Sequence, residues 1–205
     1  MTELWGLIVA AVLLSACNRS ENGAGATADP DSLLEEGVSL AREQQYEASL
    51  ERLMDVVHNS DSTTAEGRRR LIEANIEIGN ISNAFEDVPE ALSRYREALS
   101  LMRRGETPDS LAERICSNIS QTFARKGQPD SALVYASMIP DPTGYSYLFC
   151  RAYIAYYSGD YSRSADWLSK AVKQARSPHE FAYAYSLSAF CSERTGDTAG
   201  AEADL

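Results

Sequence analysis

Tyr147–Val172 reads YLFCRAYIAYYSGDYSRSADWLSKAV. Apolar residues recur at three- and four-residue spacings on both sides of Gly159-Asp160-Tyr161, which predicts two amphipathic helices joined by a tight turn. Small residues stand where the paired helices must cross closely, Ala152 in the first and Ser164 in the second, while Leu168 and Ala171 continue the apolar face. The arrangement recurs outward from this stretch. SLLEEGVSLAREQQYEASLERLMDVV holds Gly37, Tyr46, Ser49, Leu53 and Val56, with Gln44-Gln45 at the turn in place of Gly-Asp. PEALSRYREALSLM supplies Ala91, Tyr95 and Ala98, and the preceding GNISNAFEDVP reads as a turn with several extra residues. FARKGQPDSALVYA holds Phe123, Gly127, Ala132 and Ala136, with Ser120 just before it and Pro129 at the place of the turn tyrosine. A fifth unit begins at Phe181, carries Ala189, Gly196, Asp197 and Ala201, and stops at Leu205.

The second-helix small residues fall at 49, 91, 132, 164 and 201, intervals of 42, 41, 32 and 37 residues. This pattern resembles the tetratricopeptide repeat family, whose period is about 34 residues; the longer early intervals then reflect longer helices or loops. The resemblance implies an all-α chain, an α-solenoid of antiparallel helix pairs with about four and a half repeats over 31–205 and the last incomplete. No stretch alternates in the manner of a strand with hairpin turns. Solenoids usually close on a capping helix with a polar outer face. Ending one or two turns into a second helix therefore points to a truncated or continued chain, the alternative being a frayed AGAEADL tail.

Composition narrows the function. Thirty acidic residues against nineteen basic ones give a net charge of -11, which repels phosphate backbones and makes nucleic acid a poor partner. Such acidity by itself most simply serves solubility.

The chain opens MTELWGLIVAAVLLSAC. Its apolar run is shorter than the about 20 residues a bilayer span requires and suits the h-region of a secretory signal over 1–16. Leu14-Ser15-Ala16-Cys17 resembles the lipobox of bacterial lipoproteins, which implies cleavage before Cys17 and diacylation of its thiol. The n-region departs from that pattern, having no Lys or Arg and carrying Glu3; inefficient export or a start codon assigned too far downstream explains the departure. Two acyl chains anchor stably, at about 0.8 kcal/mol per buried methylene. Asn18 after the cysteine lacks the acidic side chain of inner-membrane retention, so the outer membrane is the expected location, with the face unassigned. Residues 17–30, ending NRSENGAGATADP, form a flexible tether with a reach of roughly 20 Å.

Catalytic patterns are missing. His58 and His179 are far apart, and His58 near a helix C-terminus suits the helix dipole. The sequence has no HExxH, CxxC, phosphate loop or GxSxG elbow, so neither an enzyme nor a metal or cofactor site is expected. Cys116, Cys150 and Cys191 sit in apolar helical surroundings and read as buried free thiols. A Cys150–Cys191 bridge between adjacent repeats is the alternative.

In the tetratricopeptide family the first helices line a groove for a peptide or another protein. Carried over, the groove positions are Arg114, Ser117, Asn118, Gln121 and Arg125 in the third unit, Phe149, Tyr153 and Tyr156 in the fourth, and Tyr183, Ser186 and Phe190 in the fifth. The family's carboxylate clamp is not reproduced, since Ser146 and Cys150 stand where a cation is needed. The leading expectation is a lipid-tethered, non-enzymatic interaction module with a protein or peptide partner. The runner-up is a truncated extracytoplasmic sensory region of a membrane signalling protein. Glycan capture by the aromatic half is a third reading.

Overall fold

The computed structural model describes residues 29–103 and 109–196. The leader, Cys17, the tether up to residue 28, and Asp197 and Ala201 of the fifth repeat lie outside the described residues. Among those described there are nine helices and no strand: α1 (Pro30–Arg42), α2 (Tyr46–Asn59), α3 (Ala65–Ala84), α4 (Val88–Met102), α5 (Asp109–Arg125), α6 (Pro129–Ala136), α7 (Tyr145–Tyr157), α8 (Tyr161–Gln174) and α9 (Pro178–Thr195). None is long and apolar enough to cross a membrane.

Local chemistry fixes where helices start. The side chains of Asp29, Thr64, Asp87 and Asp160 each accept a hydrogen bond from a first-turn backbone N–H, satisfying a donor that the helix itself leaves open. Ser177 and Glu180 form a reciprocal capping box at α9. With Asp29 as cap and Pro30 pre-set for the first turn, α1 begins one residue before the boundary expected at 31.

One register governs every helix pair. The described residues with left-handed φ are Gln44 (62°), Glu86 (63°), Gly127 (69°), Gly159 (81°) and Gly196 (80°). Each lies seven residues after Gly37, Gly79, Ser120, Ala152 or Ala189, and the second-helix small residue follows five later at Ser49, Ala91, Ala132 and Ser164. In three pairs a hydroxyl ties the crossing: Ser49 donates to the Gly37 carbonyl (2.7 Å), Ser120 to Ala132 (2.9 Å) and Ser164 to Ala152 (2.9 Å). All six of these residues are buried.

This register corrects the reading of the second repeat. Gly79–Ala84 is not turn but the end of α3, and the turn is Phe85-Glu86-Asp87, as short as the others. Gly79 and Asn80 look like breakers, yet Gly79 is small because the Tyr95 ring packs on it, and Asn80 accepts a hydrogen bond from the Tyr95 hydroxyl (2.9 Å). The extra length lies before Gly79, in an α3 of 20 residues that starts at Ala65.

Gln44 and Glu86 hold a conformation that disfavours a Cβ by about 1–2 kcal/mol. Glu86→Gly is expected to stabilise the chain by about 0.5–1 kcal/mol, part of the relief being offset by glycine's greater freedom when unfolded. A urea titration that moved to lower midpoint would refute this.

The chain divides between Leu111 and Ala112, in the first turn of α5, into two compact units. In the first, α1 packs on α2, α2 on α3 and α3 on α4. Leu33, Leu34, Leu50, Leu53, Val56, Ala74, Ile78 and Ile81 form one core cluster. Asp31 ties the start of α1 to α3, taking hydrogen bonds from Arg69 (2.7 Å) and from two nitrogens of Arg70 (2.9 and 2.7 Å). The hydrogen bond from Arg70 is the main reason its carboxyl is held below the ordinary carboxylate range. In the second unit α7 packs on α8 and α8 on α9, around Phe149, Ala152, Leu168, Ala184, Leu187 and Cys191.

Acidity and aromatic residues are divided between the units. Residues 29–103 hold sixteen carboxylates against eight arginines, whereas 109–196 hold eight carboxylates against nine lysines and arginines. Fourteen of the eighteen aromatic residues fall in 109–196.

The first helices as a candidate binding surface

Every candidate groove residue lies in the second unit, on α5, α7 or α9. Their common register is clearest when the crossing residues Ser120, Ala152 and Ala189 are counted as position eight. Position two then holds Arg114, Ser146 and Tyr183; position nine holds Gln121, Tyr153 and Phe190; position thirteen holds Arg125, Tyr157 and Arg194. Arg114, Tyr157, Ser186 and Arg194 are exposed, Tyr183 is 64% exposed and Phe190 52%. Asn118, Gln121, Arg125, Tyr153 and Tyr156 are half-buried. Ser117 and Phe149 are buried instead. The Ser117 hydroxyl lies 3.3 Å from the Cys150 sulfur and takes a hydrogen bond from Gln121 (2.9 Å), while Phe149 belongs to the core.

The α7 residues act together. Tyr145, Phe149, Tyr153 and Tyr157 recur at every fourth residue, with successive ring centroids 5.5, 5.9 and 4.8 Å apart, so an aromatic ladder runs the length of the helix. Tyr156 stands edge-on to Tyr157 at 5.3 Å and to Tyr161 at 5.5 Å. The Tyr153 hydroxyl donates to Tyr157 (3.4 Å). Burial and that neighbour push the Tyr153 phenol well above its usual range, against the opposing charge and hydrogen bond of Arg125. At the other end Tyr145 donates to the Glu180 carbonyl on α9 (2.9 Å), and burial raises its phenol likewise. Tyr145 and Tyr153 are therefore neutral at physiological pH, and the Arg125 guanidinium of α5 reaches Tyr153. Tyr145 and Tyr157 complete the ladder and Arg194 repeats the placement of Arg125. All three were missed in the sequence, although the four-residue spacing and the shared register are its visible signals.

The same register in the first unit has different chemistry. A groove of about 450 Å³ there is lined by Asp31, Leu34, Glu35, Val38, Arg69 and Glu73 among others. Apolar Leu34 and Val38 meet a zwitterionic wall in which Arg69 bridges Asp31 (2.7 Å) and Glu73 (2.8 Å).

Among the described residues Cys116, Cys150 and Cys191 form no disulfide and are buried, the packing role expected of them. Burial pushes the Cys150 thiol up to about 11, with Ser117 as the strongest opposing hydrogen bond. A disulfide reagent must also reach the sulfur, so with all three buried the native chain at pH 8 is expected to leave them unreacted. In denaturant, without reductant, three thiols besides Cys17 should titrate; fewer would indicate a bridge. Among the described residues no three or more His, Cys, Asp or Glu are grouped to hold a metal ion.

No family model and no curated protein matches the sequence. Solved structures do resemble the fold. A tetratricopeptide repeat protein from Parabacteroides merdae aligns over 88% of this chain and 78% of its own, at 17% identity and a TM-score of 0.51. The MamA RS-1 ArsTM double mutant aligns over 89% and 92%, at 15% identity and 0.52. BtubC (BKLC) from P. vanneervenii aligns over 87% and 86%, at 15% identity and 0.50. The chain thus has the all-helical architecture of tetratricopeptide-type repeat proteins.

Proposed function

We propose that this chain is a non-enzymatic interaction module whose second unit grips an extended segment of a protein partner across the first helices α5, α7 and α9. The observation that carries this reading is the aromatic ladder of α7 beside two large, exposed aromatic side chains on α9, Tyr183 and Phe190. Exposed rings cost the protein contact with water and contribute little to its own packing, whereas rigid aromatic side chains dominate the energetics of interfaces. Gln121 and Asn118 lie half-buried on α5, where the Gln121 amide donates to Ser117 (2.9 Å).

We further propose that Cys17 carries the lipid and holds this surface at the bacterial envelope, on the outer membrane. The lipobox-like LSAC sequence and the polar tether after it support that placement. Mass spectrometry of the full chain expressed in a bacterium tests it: a mature N-terminus at Cys17 bearing acyl mass is the expected result, lost in Cys17→Ala. An intact, unacylated Met1 in the soluble fraction would remove the anchor from the proposal. Cross-linked capture from the membrane fraction tests the surface, since partners should be lost with Tyr183→Ala/Phe190→Ala.

A further inference from the structure

We infer that the groove between α1 and α3 is a second binding site, for an extended peptide in which apolar residues are flanked by a Lys or Arg on one side and an Asp or Glu on the other. The site belongs to the first unit alone and does not rest on the aromatic surface proposed above. The groove encloses about 450 Å³. Its floor is apolar: Leu34 is buried and Val38 half-buried, one helical turn apart on α1, so an apolar side chain set there leaves water.

The charged lining falls into two classes. Arg69 is already satisfied, bridging Asp31 (2.7 Å) and Glu73 (2.8 Å), and Asp31 also holds Arg70. Glu35 and Arg42 differ: both line the groove, both are exposed, and neither side chain is in an ion pair or hydrogen bond among the described residues. The acidic residues nearest in sequence are engaged elsewhere. Glu43 takes hydrogen bonds from Ser39 (3.3 Å), the remaining polar residue of the lining, and from Gln45 (2.9 Å), while Glu77 takes one from Asn80 (3.0 Å).

Glu35 and Arg42 lie seven residues apart, two turns on one face, so their charges are spaced by about 10 Å along α1. Three residues of extended chain cover the same distance. A peptide cation set at Glu35 stands at the end of the groove that also holds Asp31 and Glu73, and a carboxylate at the other end meets the guanidinium fork of Arg42. Smaller zwitterions, such as a free amino acid or a phosphoethanolamine head group, hold their two charges too close together to reach both ends. Nucleic acid is repelled by residues 29–103, with sixteen carboxylates against eight arginines.

Fluorescence anisotropy of labelled peptides with the full chain tests this. The probe is Gly-Lys-Leu-Leu-Glu-Gly, blocked at both ends, beside versions in which Gln replaces Lys, Glu or both. Each is made in the written and the reversed order, and the tighter order is compared. The doubly charged peptide is expected to bind about fivefold tighter than the uncharged one at low salt, with the singly charged ones between. That advantage should shrink at high salt. Glu35→Gln should abolish the gain from Lys alone and Arg42→Gln the gain from Glu alone, with the thermal melt unmoved because both side chains are exposed. No binding by any peptide, binding indifferent to either charge, or an advantage that survives both variants would overturn the inference. So would displacement by glycerophosphoethanolamine at equal ionic strength, or loss of binding in Tyr183→Ala/Phe190→Ala, which would place the peptide on the second unit instead.

Discussion

Replacing Tyr95 by alanine is expected to lower the stability of the first unit by about 3–5 kcal/mol, the usual cost of emptying a large buried aromatic site. Tyr95 is fully buried between α3 and α4, its ring against Gly79 and its hydroxyl on Asn80. Tyr95→Phe keeps the ring and loses one hydrogen bond, a cost of about 1 kcal/mol. The partner variant Gly79→Ala should cost about 1–3 kcal/mol by overpacking, because its new Cβ would lie 2.6 Å from the Tyr95 ring. Combined with Tyr95→Ala, Gly79→Ala should be nearly neutral, since the methyl then enters the space the ring has left. Denaturant unfolding of the four proteins gives the coupling directly. If Gly79→Ala is equally harmful with and without the ring, the close approach is not what keeps position 79 small.

The second large effect is on binding. Tyr183→Ala/Phe190→Ala should weaken the partner at least about 30-fold, as truncating a hot-spot aromatic costs about 2 kcal/mol or more. The melting temperature should move little, because side chains exposed to 64% and 52% contribute little packing. Tyr153→Ala will not separate the two effects so well. It is half-buried against the core, bonded to Tyr157 and reached by Arg125, so stability and binding should fall together. Calorimetric titration with a captured partner, paired with thermal melts of each variant, distinguishes them. Unchanged affinity in the α9 double variant would move the binding surface away from the first helices.

The two effects differ in how far the sequence foretells them. The repeat could be read from the sequence because its determinants are local. A small residue, a left-handed turn residue seven places on and a second small residue five places after that lie within one helix pair. Their spacing is therefore the same at 37, 44 and 49 as at 152, 159 and 164. Gly79-Asn80 misled for the same reason, since a local breaker signal cannot show that a ring sixteen residues away requires the absence of a Cβ. Burial of candidate site residues is likewise non-local. Phe149 and Tyr153 share one helix face and one spacing, yet Phe149 is core and Tyr153 half-exposed, according to what α9 and α5 bring against each.

The sequence by itself determined the helical-repeat fold, its register and the buried cysteines, because periodicity, capping and small crossing residues act within a few turns. Only the tertiary structure decided which of those rings reach solvent, that Asp31 holds Arg69 and Arg70, and that acidity and aromatic residues separate into different packing units. Each of these depends on side chains brought together from helices distant in the chain, and a single helix carries no record of what will be packed against it.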